Sequence, residues 1–209
     1  MDFISKILDF IFPPACGICG KLGQGYLCSN CERELEKYKI RTNIRTQRYH
    51  LFRYEQDIRD KILDYKFNDK SYLYHLFYEI LIKDKNACEF LGDYDIIVPV
   101  PIHRKRKWKR GYNQCELVAK RIGTNLGICV VTDALEKKVH TVPQSSLLRQ
   151  ERLQNAKDVY NVKNPSKIEN KKVVIFDDIY TTGATAYECK KTLELAGARK
   201  VGVMTIAKD

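Results

Sequence analysis

The chain has no apolar run long enough to cross a bilayer. Its most apolar opening stretch, FISKILDFIFPP, is interrupted by Lys6 and Asp9 and stops at Pro13, far short of the roughly 20 residues a spanning helix needs. It also lacks a small-residue cleavage site and carries Asp2 where a secretory leader would be basic, so a cytoplasmic protein with no membrane span is expected. Phe3, Ile7, Phe10 and Ile11 share one helical face, which suits a short helix docked on the body or, alternatively, a membrane-surface anchor. No internal repeat or low-complexity segment is evident. Histidine is scarce, and His50, His75, His103 and His140 make no metal-ligand pattern among themselves.

What is abundant is positive charge. With 37 Lys and Arg against 26 Asp and Glu, the net charge is +11 and the pI about 9.2, so polyanions such as nucleic acid, polyphosphates or acidic headgroups are the natural partners. At 209 residues and 44% hydrophobic content, one main domain with a small appendage is expected.

Four of the eight cysteines fall in one run, CGICGKLGQGYLCSNC, as Cys16-x2-Cys19 and, eight residues on, Cys28-x2-Cys31. Two such pairs meet the tetrahedral demand of a structural zinc site, and four protein ligands leave no open position for catalytic water. Cys88, Cys115, Cys129 and Cys189 have no such spacing and are expected to be small buried hydrophobes.

Along the rest of the chain, RYHLFRY reads as a strand and EQDIRDKILDYKF as a helix. SYLYHLFYEILIKDK reads as one longer helix through residue 85, and YDIIVPVP as a buried strand. NQCELVAKRIGTNLG returns to helical period and closes on Gly127, GICVVTDAL and DVYNV suit short strands, and residues 144–155 read as mobile or partly helical. Lys172 to Phe176 forms a strand, ATAYECKKTLELAG a helix stopped by Gly197, and KVGVMTIA a final strand. Strands alternating with helices predict an α/β fold with a mostly parallel sheet and helices on both faces. Ligands of such sheets bind beyond the carboxyl ends of the strands.

One strand end stands out: VVIFDDIYTTGAT, residues 173–185. Asp177 and Asp178 follow the apolar strand, and Thr181, Thr182, Gly183, Ala184 and Thr185 lead into a helix. A helix N-terminus offers unpaired N–H groups and partial positive charge to a phosphate. The adjoining carboxylates suit the vicinal hydroxyls of a sugar, so the motif reads as a ribose 5-phosphate binder.

This stretch resembles the signature of type I phosphoribosyltransferases, which hold 5-phosphoribosyl 1-diphosphate (PRPP) with magnesium. The resemblance implies that Asp177 and Asp178 contact the ribose hydroxyls, that residues 181–185 hold the 5-phosphate, and that the segment after YDIIVPVP holds the diphosphate. The four-cysteine knuckle, PVP with a basic stretch, RGYNQ, Gln144 before Arg152 and Asn155, and the T-T-G-x-T loop together resemble the ComF (ComFC) family of competence proteins. That family is associated with natural transformation, the uptake of DNA into the cytoplasm, without a securely assigned reaction; Tyr112 and Tyr160 stand where phenylalanine is more usual. The resemblance implies a zinc-binding segment at 1–45, a phosphoribosyltransferase-like domain at 46–209, and DNA-uptake helicase or channel proteins as partners.

The basic stretch after Pro101 is read as a loop. Arg104, Lys105, Arg106, Lys107, Lys109 and Arg110 put six cations in seven residues around Trp108, with Tyr112 just beyond. Cations with exposed aromatics suit single-stranded DNA, with charge tracking the backbone and rings stacking on bases; the same cations suit a diphosphate, or only a solvated surface. No catalytic residue can be named. The chain opens Met1-Asp2, so a glutamine amidotransferase half with an N-terminal cysteine nucleophile is not expected. The alternatives to a DNA-uptake factor are an active phosphoribosyltransferase of nucleotide salvage and a zinc-stabilised adaptor.

Overall fold

In the computed structural model of the chain, residues 13–42, 45–138 and 159–209 are described. The expectations for the opening apolar helix and for residues 144–155 fall wholly or largely outside them. The frame is a five-stranded sheet in the order β1-β7-β6-β2-β3, formed by β1 (Arg48–Arg53), β2 (Ile96–Pro99), β3 (Cys129–Val130), β6 (Lys172–Tyr180) and β7 (Lys200–Lys208). Every pairing in it is parallel, as the alternation of strands and helices predicts.

Period-two alternation along the strands divides the core between two faces. Val174, Phe176, Met204 and Ile206 pack with Leu76, Phe77, Leu91 and Ile122 on one side. Val173, Ile175, Val201 and Val203 pack with Cys189, Leu193 and Ile168 on the other. The helices are α1 (Ser29–Leu35), α2 (Gln56–Phe67), α3 (Tyr74–Lys83), α4 (Lys85–Gly92), α5 (Arg104–Arg110), α6 (Gln114–Leu126) and α7 (Ala184–Leu195).

Several elements depart from the sequence reading. The helix read through residue 85 ends at Lys83, and a second helix that the reading did not include, α4, starts at Lys85, because the Asp84 side chain accepts from the Ala87 N–H at 2.9 Å and caps it. The strand read as Lys172 to Phe176 runs on to Tyr180, since β7 supplies pairing partners past the two acids, with Asp177 opposite Thr205 and Tyr180 opposite Lys208. β4 (Leu135–Lys137) and β5 (Tyr160–Val162) stay out of the main sheet and pair antiparallel as their own ribbon. The basic stretch read as a loop is the helix α5, entered through a bond from the Lys105 N–H to His103 Nδ1 and closed by Gly111 at φ +80°. Among the cysteines outside the knuckle, Cys115 and Cys189 are buried as expected, but Cys88 is half-buried and Cys129 exposed on the short edge strand.

The four-cysteine segment docks on α3. Gly17 lies so close to Leu73 and Leu76 that an added Cβ would come within 2.9 Å of Leu76, so any larger residue there would force the two apart. The Tyr26 N–H donates to Glu79 Oε2 at 2.9 Å, its ring stacks on His75 at 4.1 Å, and Lys83 pairs with Glu32 at 2.8 Å. Cys16, Cys28 and Leu35 belong to the same buried cluster as Leu73 and Phe77.

Candidate functional site

After β2 the chain moves outward to β3, then returns to β6 on the other side of β2. That reversal opens a crevice at the carboxyl ends of β2 and β6, the place where open parallel sheets bind ligands. A cavity of about 330 Å³ occupies it, lined by Val100 and Pro101 after β2, by Asp177, Asp178, Thr181 and Thr185 at the end of β6, and by residues of α2, α5, α6 and the β4–β5 ribbon.

The two acids are not equivalent. Asp178 is buried and both of its oxygens are engaged: Oδ1 pairs with Lys66 Nζ at 2.7 Å and Oδ2 accepts from Gln114 Nε2 at 2.8 Å. Among the described residues Asp177 is engaged only through Oδ1, which accepts from the Asp178 N–H at 2.9 Å and from the Cys115 thiol at 3.5 Å, so its other oxygen is the one offered to a ligand. Burial and then the neighbouring charge of Asp178 push the Asp177 carboxyl up to about 7, against the pull of Lys66. Burial favours a neutral Lys66, yet Asp178 and then Asp177 hold its ammonium above the ordinary lysine value. The sequence reading missed Lys66, and the helical stripe Arg59, Leu63, Lys66, Phe67 on α2, which lines the cavity, is the signal that would have found it.

Beyond Tyr180 the chain turns through Gly183, at φ +80°, into α7. A Cβ at Gly183 would collide with the Tyr180 ring and hydroxyl, so only glycine admits this close approach. Thr182 Oγ1 accepts from the Ala184 N–H at 3.4 Å, and Asp177, Thr181, Gly183, Ala184 and Thr185 surround a small hollow beside the main cavity. Among the described residues no histidine lines the cavity or the hollow. His50 is buried against Thr205 at 2.8 Å, and burial, Lys208 and Arg48 lower it to about 4, so it is neutral.

Helical geometry splits the basic stretch. Arg106 and Arg110, four residues apart on α5, line the cavity, whereas Arg104, Lys105, Trp108 and Lys109 form an outward surface with Trp108 88% exposed. Lys107 pairs with Glu116 at 3.0 Å, and Tyr112 is half-buried with its ring stacked on Tyr65. Neither lines the cavity.

The four Sγ atoms of Cys16, Cys19, Cys28 and Cys31 lie within 4.8 Å of one another, with Cys19 and Cys28 at 3.8 Å. Zinc–sulfur bonds of about 2.3 Å in a tetrahedron give edges of about 3.8 Å, so these residues fit a structural zinc. The second cluster, Cys115 with Asp177 and Asp178, does not suit a hard cation. Its thiol is soft and burial holds it protonated, and Asp178 is already paired. Only Asp177 remains as a protein ligand for magnesium, whose other ligands in such sites are water and substrate phosphate.

Residues 7–42 match the family model of a double zinc ribbon domain. The chain is 26% identical to "Competence protein F" of Haemophilus influenzae over 93% of its own length and 85% of that protein. It is 29% identical to "Competence protein ComFC" of Streptococcus pneumoniae over 92% and 80%. The chain is thus similar to ComF-type competence proteins over nearly its whole length. Among solved structures, the chain is similar to the glutamine PRPP amidotransferase of B. subtilis complexed with ADP and GMP, at 18% identity and a TM-score of 0.41 over 62% of this chain and 25% of that one. The assignment of an α/β, phosphoribosyltransferase-like fold with an N-terminal zinc ribbon rests instead on this chain's own sheet order, strand-end motif and cysteine cluster. No helix among the described residues is long and apolar enough to cross a membrane.

Proposed function

We propose that this chain is a cytoplasmic factor of natural transformation that holds Mg-PRPP in the cavity and single-stranded DNA on the outer face of α5, residues 1–45 bracing the binding domain of 46–209. The observation that carries the reading is that Asp177, with one oxygen that no described residue uses, lines both the main cavity and the small hollow enclosed by the Gly183 turn into α7. The ribose hydroxyls meet Asp177, the 5-phosphate meets the backbone N–H groups and threonine hydroxyls of residues 181–185, and the diphosphate meets the inner face of α5. Asp178 acts one step back, anchoring Lys66 and Gln114. The names of the relatives, competence proteins, support the cellular role.

Calorimetric titration with Mg-PRPP tests the pocket. Gly183→Val is expected to abolish the heat of binding by pushing a side chain into Tyr180 and the cradle; an unchanged isotherm would remove the 5-phosphate assignment.

The DNA arm has its own expected result. Trp108→Ala should cost ~1–3 kcal/mol of single-strand affinity if the ring stacks on a base. Changing Arg104, Lys105 and Lys109 to Gln should lower the slope of log K against log salt by about 2, at roughly 0.7 for each phosphate no longer neutralised. An unchanged slope in fluorescence anisotropy would sink the DNA contact. A second reading, phosphoribosyl transfer to an acceptor, is favoured by the apolar wall of Tyr54, Leu63 and Phe67 beside the acids, which suits a planar group.

A further inference from the structure

We propose that Gln114 docks the basic helix α5 on the body of the protein, and that through this joint a ligand in the cavity raises the affinity of the outer face of α5 for single-stranded DNA. This rests on reading the cavity as a ribose-phosphate site and that face as the DNA contact. Gln114 is the last residue of RGYNQ, and its buried side chain spans two groups of opposite charge. Its Nε2 donates to Asp178 Oδ2 at 2.8 Å, and its Oε1 accepts from the Arg110 guanidinium at the end of α5. Of the side chains of this length, an amide alone offers both a donor to the carboxylate and an acceptor to the guanidinium.

The two ends of this joint differ in rigidity. Gln114 opens α6, whose Val118, Ala119 and Ile122 are buried, and its backbone is fixed from two sides. Asn113 accepts from the Cys115 N–H at 3.0 Å and donates to the Val100 carbonyl at 3.0 Å, while the Tyr65 hydroxyl donates to the Gln114 carbonyl at 2.9 Å. No residue of α5 is buried, so side-chain contacts rather than packing hold that helix. Besides the Gln114 bond these include Lys107 with Glu116 at 3.0 Å and Arg110 over the Phe67 ring at 5.7 Å. An element with so little buried apolar surface lies at the low end of local stability and opens without the rest of the fold.

The helix α5 also stands between the two ligands. Arg106 and Arg110 line the cavity, and Arg104, Lys105, Trp108 and Lys109 form the outward surface. An anion in the cavity adds charge-assisted contacts to the inner face that exist only while α5 is docked. It therefore shifts the helix toward the docked state, in which the outer cations and Trp108 keep one arrangement and DNA no longer has to order them. The ligand's own negative charge acts the other way, by repelling DNA phosphates. At physiological salt the screening length is about 8 Å and the two faces are separated by a helix about 10–12 Å across, so docking outweighs repulsion. The coupling is reciprocal, and DNA raises the affinity for the ligand by the same factor.

The experiment is fluorescence anisotropy of a labelled oligothymidine with the intact zinc-loaded protein, with and without Mg-PRPP at a concentration that calorimetry shows to be saturating. In the wild type, Mg-PRPP should tighten DNA binding and slow amide hydrogen exchange over residues 104–110. Gln114→Met removes both hydrogen bonds at nearly constant volume. It should weaken oligothymidine binding by about tenfold, the loss of one charge-assisted contact, although Gln114 lies on the cavity side of α5. Exchange in this variant should quicken over 104–110 and not over α6, which separates undocking of α5 from a general loss of stability. Saturating Mg-PRPP should then recover at least about fivefold of the lost DNA affinity. Gln114→Glu still accepts from Arg110 and should keep the wild-type DNA affinity. DNA affinity unchanged in Gln114→Met, or unchanged or lowered by bound Mg-PRPP in the wild type, would overturn the proposal. If calorimetry finds no Mg-PRPP binding to the wild type, the ribose-phosphate reading falls and the coupling with it. If Mg-PRPP binds and the oligothymidine does not, the DNA contact and the coupling fall while the cavity reading stands.

Discussion

Removal of zinc is expected to unfold the body of the protein as well as the ribbon. Cys16 and Cys28 sit in the same buried cluster as Leu73, Leu76 and Phe77 of the α3 region, and Gly17 is wedged against Leu73 and Leu76. Without metal nothing ties the four sulfurs that lie within 4.8 Å of one another, the turns that carry them open, and α3 loses its cover. Structural zinc binding is coupled to folding, with apparent energies of about 10–16 kcal/mol in isolated zinc fingers, comparable to the whole stability of a domain at about 5–15 kcal/mol. Chelation followed by circular dichroism should therefore remove the cooperative melt of the whole chain, and metal analysis should find about one zinc per chain. A chelated protein that keeps its melting transition would show that the ribbon is an independent appendage.

Asp177→Asn is expected to stabilise the fold above neutral pH while it weakens the binding of ribose 5-phosphate. The folded protein holds the Asp177 carboxyl at about 7 against an ordinary 3.8. Between those values the folded state keeps a proton that the unfolded state has lost, so stability falls as pH rises through the window and stays low above it. Asparagine does not titrate and can still accept from the Asp178 N–H. Ionising a carboxyl held this high costs at least about 1.4 kcal/mol, so the variant should melt roughly 2–4 °C or more above the wild type at pH 8, with little difference at pH 4. Loss of a charged hydrogen bond to the sugar should weaken ribose 5-phosphate by about 10–100-fold. Equal melting temperatures at pH 8 would mean that the carboxyl is not strained. Asp178→Ala is a poor substitute, because it leaves the half-buried Lys66 ammonium without its carboxylate, at a cost of up to about 3–5 kcal/mol, and confuses unfolding with loss of the site.

How far the site is legible in the sequence depends on how local its parts are. The strand, the two acids and the turn to α7 are contiguous, so VVIFDDIYTTGAT discloses them together, and the cysteine pairs disclose the metal by spacing alone. The division of labour between Asp177 and Asp178 is not legible, because Lys66 and Gln114 come from distant helices. The helix α5 was hidden because a run of six cations has no apolar period to betray its geometry; only once it is helical do Arg106 and Arg110 separate from Trp108. Lys137 lies beyond the segment read as a strand, with nothing local to mark it, and only the β4–β5 ribbon brings it to the cavity. The helix α4 was not read because its start, Lys85 and Asn86 after Lys83 and Asp84, looks like the polar end of the preceding helix.

The most direct test of the central claim is phosphorus NMR of Mg-PRPP mixed with the purified zinc-loaded protein, its Asp177→Asn variant, and a panel of bases and single-stranded DNA. The account predicts broadened PRPP resonances with the wild type that sharpen again with Asp177→Asn; release of diphosphate with a single acceptor would add turnover to binding. Resonances as sharp with the wild type as without protein would contradict the claim that this cavity holds a ribose phosphate.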